Sequence, residues 1–364
     1  MWSYAIHDTR TGAHLIEMKP SAFSWSRRLV GTGTGSVSFK VLGTVIDRAV
    51  LRDLLRPTAR TVIAKWRTPG SSGEPHVVFA GMVTDTSYAP DTGTLTANLT
   101  DIRTIFSKRM TGGVNQYGTP WNLTYTNRSN AGAIRAVLAR AMAPSTEWSL
   151  PIDLPADGTG VLSRQVDFFE TMTIGDLLSE IEDVGGVTVD FRPYLASGVL
   201  RWEVRAVGPS TTYGATDLPV TVRESRVTGL TVAIDGKAQV TGVLALGNGT
   251  GEDMLTAYAP TSGSGATTIP VRDEKRTAKD LKSAASLQRF ADAEYTKWSV
   301  TREQWTFSMQ VDDVITPAHV QPGRLLRMDV RNDPWLPDGV RSRRVIALSG
   351  DMTRGVKPEV DDVD

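Results

Sequence analysis

Short runs in which apolar and polar residues alternate constrain the fold of this chain more than any other feature of its sequence. The clearest runs near the start lie in residues 23–26, 36–41 and 94–100. A period of two is typical of strands with one face on a core. Turn sequences, Gly31–Gly35 and Pro90–Gly93, separate these runs. Residues 1–101 are therefore predicted to form a β-barrel domain, interrupted by one short helix from Asp47 to Arg56.

The period changes in residues 102–206, which we expect to form a small α+β domain. A first helix follows Ser129 or Asn130 and ends before Pro144. A second begins after Thr173, with Asp176 three residues on, and ends at Gly185-Gly186. These are the signals of a capping box and a left-handed C-cap. Alternating residues from 187 to 206 predict a hairpin. The apolar side of this helix (Ile174, Leu177, Leu178 and Ile181) is predicted to pack on Val187, Val189, Phe191 and Trp202 of that hairpin.

Strands resume after a Gly-, Pro- and Ser-rich linker at 207–218. Residues 219–352 are predicted to form a second β-barrel domain with one inserted helix at 277–298, capped by Thr277. The acidic tail 353–364 is predicted to fray. The glycine-rich stretch 248–268 is predicted to be a long mobile loop. Its apolar tip consists of Met254, Leu255 and Tyr258. This tip is a candidate for closing a channel or docking on a partner, and the alternative is that it packs on its own barrel. The fold class is thus mainly β with α+β: two β-barrel domains flank a small α+β domain.

Composition excludes several classes of function. The 364 residues include no cysteine and only four histidines, which excludes disulfide scaffolds, thiolate zinc sites and cysteine nucleophiles. Forty basic residues balance forty acidic ones, unlike the basic excess of a dedicated nucleic-acid binder. No apolar run reaches the roughly 18 residues of a membrane helix, and no export signal is evident. We therefore expect a chain made in a host cytoplasm without a membrane anchor.

Charge is balanced in total but segregated along the chain. Residues 1–70 carry eleven basic and four acidic side chains, whereas residues 151–190 carry nine acidic side chains and one arginine. The two blocks are either solvated faces of opposite sign or complementary surfaces that meet, within one chain or between copies. The candidate interface charges are Arg27, Arg28, Asp176, Glu180 and Asp183.

Three short motifs resemble catalytic or binding signatures, and each has a simpler interpretation. Gly31–Gly35 precedes a strand rather than a helix, so it is a hairpin turn and not a phosphate loop. Asp91-Thr92-Gly93 lacks the second copy that aspartic proteases need. A metal site could be formed by His7, Asp8, His14 and Glu17, but a solvated hairpin is the simpler reading. We predict no catalytic residues, no cofactor and no metal, hence no enzyme.

Several strings resemble the tail-hub proteins, often called minor tail proteins, of long-tailed siphophages that infect actinobacteria. These strings are Phe23–Val41, Asp176–Ile181, Gly185–Pro193, Gly323–Met328, Asp333–Gly339 and Arg344–Ile346. The resemblance implies a fold akin to the baseplate hubs of contractile phages and of type VI secretion spikes. It implies a homotrimer, three chains forming a ring whose six barrels match a sixfold tail tube above and present threefold symmetry below.

The resemblance further implies a virion structural protein at the tail tip that gates the DNA channel. Its partners would be a second and third copy, the distal tail protein, the tape-measure protein and other tail-tip or fibre proteins. DNA would pass without specific binding, so we expect a lumen lined by acidic or neutral polar side chains. The acidic stretch 151–190 and the loop 248–268 are the candidates for that surface. The alternatives are the hexameric distal tail protein and a cell-wall hydrolase.

Overall fold

A computed structural model describes residues 1–41, 47–111, 113–114, 120–143, 146–208, 211–262, 269–279, 281 and 283–362. The fold is mainly β, as the alternation predicts. Contacts divide the chain into two compact units: unit 1 comprises Met1–Leu230 and Thr306–Asp364, and unit 2 comprises Thr231–Trp305. The domain boundaries at 101, 206 and 219 stay predictions.

The first hundred residues form seven strands and one short helix. These are β1 (Trp2–Asp8), β2 (His14–Met18), β3 (Ala22–Arg28), β4 (Thr34–Lys40), α1 (Arg48–Leu54), β5 (Arg60–Trp66), β6 (His76–Ala89) and β7 (Thr94–Thr100). Asp47 caps α1, because its carboxylate accepts the N–H groups of Ala49 and Val50. Val50, which the sequence places on the apolar side of this helix, is half exposed.

The middle of the chain contains two longer helices and a hairpin. Its elements are the 3-10 helix Ile102–Lys108, β8 (Gly113–Val114), β9 (Pro120–Trp121), β10 (Leu123–Arg128), α2 (Asn130–Met142), the 3-10 turn Thr146–Trp148, β11 (Ile152–Asp153), β12 (Leu162–Val166), α3 (Ile174–Gly185), β13 (Thr188–Ala196) and β14 (Val199–Val207). The caps of α3 are confirmed: Thr173 and Asp176 form a capping box, and Gly186 is left-handed at φ 59°. A side chain at Gly186 would strain that turn.

The remaining elements are β15 (Ala215–Pro219), β16 (Val227–Asp235), β17 (Gly242–Leu246), the 3-10 turn Gly251–Asp253, β18 (Thr256–Ala259), β19 (Asp273–Thr277), α4 (Ala284–Trp298), β20 (Arg302–Gln310), the 3-10 turn Pro317–His319, β21 (Leu325–Val330), β22 (Gly339–Gly350) and β23 (Gly355–Asp362). The predicted start of the inserted helix is wrong. Thr277 ends a strand, and Ser283 caps α4 by accepting the Ser286 N–H.

The prediction of a frayed acidic tail is also wrong. Residues 355–362 form β23, which pairs with β22 and β20. Every second residue of β23 is apolar, so Val356 and Val360 are buried while Lys357 and Glu359 face solvent. The acidic side chains that suggested a solvated tail are the outward half of an amphipathic strand.

Strands from both predicted barrel domains belong to one continuous sheet. Its main path runs β16-β20-β23-β22-β3-β4-β7-β6-β5-β1-β2, with β21 and β15 branching from β22. The two ends of the chain meet where β3 pairs with β22, from Trp25 opposite Gly350 to Arg28 opposite Ala347. We call this four-residue pairing the seam.

The two halves of the sheet repeat one topology. The first half has the spatial order β3-β4-β7-β6-β5, and the second has the order β16-β20-β23-β22-β21. Numbered along the chain, each half therefore reads 1-2-5-4-3. In both halves the fourth strand is long, pairing first with the third strand and then extending beyond it. The sequence shows no repeat at a fixed period, so this duplication is visible only in three dimensions.

The core of the α+β region includes residues of strands β1, β5 and β6 of the continuous sheet. Ile174, Leu177, Leu178 and Ile181 of α3 belong to one buried cluster with Val189, Phe191 and Trp202, as predicted, whereas Val187 lies outside it. The same cluster includes Ala5, Ile63, Val77 and Ala80 from β1, β5 and β6. Burial of this continuous apolar surface holds the region together.

Unit 2 is a three-stranded sheet, β18-β17-β19, covered on one face by α4. Its small core consists of Ala245, Ala259, Leu287 and Ala291, with Leu255 packed against it. The prediction of a long loop at 248–268 is wrong over residues 248–259. Leu255 closes a tight turn through main-chain hydrogen bonds to Gly247 and Asn248, and β18 follows. Residues 263–268 lie outside the described part.

The candidate closing residues are accordingly not a mobile apolar tip. Leu255 contributes to the core of unit 2, and Met254 is half-buried. The Tyr258 hydroxyl donates to Asp273 across 3.1 Å and lies over Gly242, where a Cβ would meet it. Each of the three side chains therefore packs on its own unit, which was the alternative reading of the sequence.

Replacing Leu178 with alanine should lower the free energy of unfolding by about 2–5 kcal/mol, because the side chain is fully buried. The matched control is Val184→Ala on the same helix, where the side chain is 69% exposed. The control should change stability by no more than about 0.5 kcal/mol. Urea unfolding of the full chain measures both, and equal effects would contradict the packing of α3.

Candidate functional site

The strongest candidate for a functional surface is one face of the main sheet. Side chains that share a face follow from the register: Ser24 lies opposite Ser36, which lies opposite Asn98, which lies opposite Asp85. The next row begins at Ala22 and continues through Ser38, Thr96 and Ser87. We call this row-by-row array of small polar side chains the polar face.

The alternation that exposes the polar face buries the opposite one. Phe23 and Trp25 of β3 and Val37 of β4 are buried, and both aromatic rings pack near Phe79. Since the two sets of side chains point to opposite sides of the same strands, the position of the core determines which side remains polar.

The polar face carries few charged side chains: the register places Lys40 and Asp85 on its first half, and Arg28, Lys357 and Glu359 on its second. Ser38 and Thr96 hydroxyls lie 2.9 Å apart, and the Asn98 amide donates to Asp85 across 2.7 Å. At the seam, Arg28 is 3.1 Å from Glu359, and both side chains are about half exposed. Such a surface presents mainly hydroxyls and amides and has no cluster of basic side chains.

Several strand edges of this sheet are exposed, among them β2 at one end of the path, which pairs only with β1 in the described part of the chain. Residues Thr84–Ala89 of β6 extend beyond β5 and pair only with β7 among the described strands, and all six are exposed. At the other end of the path, β16 pairs only with β20 in the described part of the chain, and most of its residues are exposed. Unpaired edges carry free main-chain donors and acceptors, so they are natural positions for a further strand.

The acidic block 151–190 is largely neutralised within the chain. Arginines pair with six of its nine carboxylates, and all but Arg164 come from outside the block: Asp153 pairs with Arg201, Asp157 with Arg128, Glu170 and Glu180 with Arg164, Glu182 with Arg103, and Asp190 with Arg27. Most of the predicted acidic surface is therefore not available to another chain.

The candidate interface charges separate into two groups. Arg27 is buried, and its guanidinium lies 3.0 Å from Asp190, so at this pair the two charge blocks meet within the chain. Arg28 pairs with Glu359 and Glu180 with Arg164. Asp176 serves the capping box of α3, and Asp183 is exposed.

Asp101 lies at the junction between β7 and the following 3-10 helix, close to this buried pair. Its carboxylate accepts the Arg103 N–H across 2.9 Å. Burial raises the pKa of Asp101 to about 6, and the Arg103 N–H and the Arg27 guanidinium oppose the shift only partly. Burial similarly lowers the pKa of His76 to about 3, with Arg27 and Arg192 acting in the same direction.

The residues that suggested a metal site make hydrogen bonds and ion pairs, and two of them, His14 and Glu17, pair with each other. His7 Nδ1 lies 2.9 Å from the Gly12 carbonyl, Asp8 pairs with Arg60, and Glu17 pairs with Lys65 and His14. Within the described ranges, no group of three or more metal-ligating side chains is placed to hold an ion. Asp91-Thr92-Gly93 forms the turn between β6 and β7.

Nor does any helix in the described part of the chain have the length and apolar character needed to cross a bilayer.

Sequence reasoning identified the strands of the polar face but not the face itself. The signal was present, because every polar position in the alternating runs of β3, β4 and β7 is Ser, Thr, Asn or Lys apart from Arg28. The sequence alone does not give the register of the strands, and these positions align into rows only when the strands are paired.

No family model matches the chain, and no curated protein matches it. Solved structures do. The 43 kDa tail protein of prophage MuSo2 from Shewanella oneidensis has a TM-score of 0.63 at 10% identity, over 100% of this chain and 99% of that one. A tail protein from Neisseria meningitidis MC58 has a TM-score of 0.56 at 14% identity, over 99% and 96%.

A third similar structure is c3393 of E. coli, described as a component of the type VI secretion system with structural similarity to the T4 bacteriophage tail proteins gp27 and gp5. Its TM-score is 0.50 at 10% identity, over 99% of this chain and 74% of that one. The chain therefore has the fold of these tail proteins, and the likeness spans its whole length.

Changing Asp101 to asparagine should remove one pH-dependent component of stability. As pH rises from about 4 to about 6, the Asp101 carboxyl loses its proton in the unfolded chain but keeps it in the folded chain. The free energy of unfolding therefore decreases over this range, and the whole decrease is present above about pH 6. The amide oxygen of the substituted side chain would still accept the Arg103 N–H, but an amide cannot ionise. Relative to the unaltered protein, the variant should gain stability between pH 4 and 7. Urea midpoints that shift in parallel for both proteins would contradict this pKa.

Proposed function

We propose that this chain is a structural protein of a phage tail tip and that three copies form a ring-shaped hub. The observation that carries the proposal is the duplicated sheet. Each chain contributes two halves of the same strand order, joined edge to edge at the seam. Three such chains would supply six similar positions around an axis, which is what an adaptor to a sixfold tube requires.

The seam also supplies a rule for joining one copy to the next. Within the chain, the first strand of one half (β3) pairs with the extension of the fourth strand of the other half (β22). The corresponding first strand of the second half is β16, and the corresponding extension is Thr84–Ala89 of β6. Both are exposed edges, and of the edges described above they are the two that correspond to the strands of the seam, so pairing β16 with β6 of the next copy would repeat the seam and close the ring.

The polar face suits the wall of a channel for DNA. Duplex DNA carries one negative charge per about 1.7 Å, and a wall rich in arginine or lysine would retain it. Ser, Thr and Asn side chains can donate hydrogen bonds to phosphate but carry no positive charge to hold it, and Arg28 is paired with Glu359. We therefore assign the lumen to the polar face rather than to the acidic stretch 151–190, whose carboxylates are mostly paired inside the chain.

The resemblance implies a hub that closes the channel, but Leu255 and Tyr258 are packed within unit 2. We place the protein in the virion, at the tail tip, with the distal tail, tape-measure and fibre proteins as its neighbours. One of those neighbours is then the better candidate for the closing element.

The stoichiometry tests the proposal directly. Three copies per particle are expected in cryo-electron microscopy of tails, and light scattering of the purified protein should give three times the 39.5 kDa chain mass. Each pair should bury roughly 2,000 Å² or more, as permanent assemblies do. Six equivalent copies would favour a distal tail protein instead. Hydrolysis of cell-wall material in a zymogram would favour the third alternative, an enzyme.

A further inference from the structure

The two halves of the sheet also share a connection between their second and third strands, and in the second half this connection packs on the first half. In the second half, the 3-10 turn Pro317–His319 joins strand 2 (β20) to strand 3 (β21), and it contacts β6 of the first half. His319 lies near enough to His76, the first residue of β6, to help lower the pKa of that histidine. Within one chain, the connection between strands 2 and 3 of one half thus packs on strand 4 of the other.

The corresponding connection in the first half is helix α1, which joins β4 to β5. None of its seven residues is buried, and Val50 is 51% exposed. Arg48 and Arg52 are exposed, and within the described ranges no carboxylate lies within 4.0 Å of either guanidinium. The outer face of this helix is apolar and basic, and among the described elements we find none that packs on it as β6 packs on Pro317–His319.

The surface that corresponds to β6 is the start of β22 together with the loop before it. Val340 at the start of β22 is 62% exposed, and Trp335 in the loop is 76% exposed. The loop is held in one conformation: Asp333 accepts the N–H groups of Trp335 and Leu336, Asp338 accepts that of Asn332, and Leu336 is buried. A tryptophan displayed on a fixed loop loses little conformational entropy on binding, which favours an interface anchor.

Charge and polarity match between the two surfaces. Arg331 beside the Trp335 loop pairs with Asp329, and Asp53 of α1 pairs with Arg60. The charges that remain are Asp333 and Asp338 on the loop and Arg48 and Arg52 on the helix. Both surfaces have an exposed apolar centre, Val50 on the helix and Trp335 with Val340 on the loop and strand. Opposite charges around an apolar centre are the arrangement of a specific protein interface.

We infer that α1 of one copy packs against Trp335 and Val340 of the neighbouring copy. The inference rests on the proposed ring, since it applies the internal packing of Pro317–His319 on β6 to the junction between copies. The occupant of each surface is therefore a second copy of this chain, and each copy offers the helix on one side and the loop on the other.

Thiol cross-linking tests this contact, because the chain contains no cysteine of its own. The double variant Val50→Cys with Val340→Cys, treated with a short bismaleimide, should give cross-linked dimers and trimers on a denaturing gel. Both side chains are exposed, so neither substitution disturbs a core. The matched control is Val50→Cys with Phe169→Cys, whose second position is 66% exposed but lies outside the inferred contact. The control should remain monomeric on the gel.

The outcomes separate the inference from the proposed function. Light scattering that shows trimers, combined with no cross-linked species for the first pair, overturns the contact and leaves the ring standing. A protein that is monomeric at every concentration overturns both. Cross-linking of the control to the same extent means that the reagent captures random collisions, and the inferred contact then fails as well.

A second measurement probes the energetics. Trp335→Ala should weaken association by at least 30-fold, the order expected for an interfacial tryptophan anchor (roughly 2 kcal/mol). Arg48→Glu combined with Arg52→Glu should weaken it most at low salt and less at high salt. Association that is unchanged in both variants would exclude α1 and Trp335 from the interface.

Discussion

The pairing of β3 with β22 is the interaction on which the rest of this structure depends. It joins residues 25–28 to residues 347–350 and makes one sheet from strands formed at opposite ends of the chain. Arg27 in this seam also forms the buried ion pair with Asp190 on β13. The two halves of the continuous sheet and the hairpin of the α+β region therefore meet at this one residue. Removing one partner of such a pair leaves an uncompensated buried charge, which is far more costly than the pair is stabilising. The seam therefore specifies the arrangement more than it adds to stability.

Local sequence patterns predicted the helices and strands, whereas the surfaces that they form depend on strand pairing between distant parts of the chain. The caps of α3 lie within the helix and its flanks, so Thr173, Asp176 and Gly186 identified it from sequence alone. The alternation in β3, β4 and β7 likewise predicted strands and their buried sides. The start of α4 was misplaced because Thr277 and Ser283 are both good caps, and only pairing with β17 assigns the first to a strand. The duplicated topology, the polar face and the neutralised acidic block depend on residues far apart in sequence, which periodicity does not connect.

The arginines explain why segregated charge in the sequence does not become segregated charge on the surface. Guanidinium groups bind carboxylates in six pairs of the acidic block, and elsewhere they bind main-chain carbonyls. Arg324 donates to Tyr213 and Ala215, and Arg344 donates to Gly208, so the predicted linker is fixed against β21 and β22. The planar fork of arginine suits both kinds of acceptor better than lysine does. With these cations occupied internally, the main sheet can present a face of hydroxyls and amides, the property on which its proposed role in a channel depends.

The seam also constrains when the sheet can be completed during synthesis of the chain. A ribosome releases β3 long before β22, so a growing chain holds an incomplete sheet until almost all of it has been synthesised. Contacts between residues more than 300 positions apart form late and slowly, because the intervening chain must first be arranged. The edge of β3 that the seam will cover stays vacant during that interval, open to a wrong partner strand. Production of this protein is therefore most vulnerable to aggregation during translation, and slower synthesis or a chaperone that shields strand edges should raise the yield of folded chain.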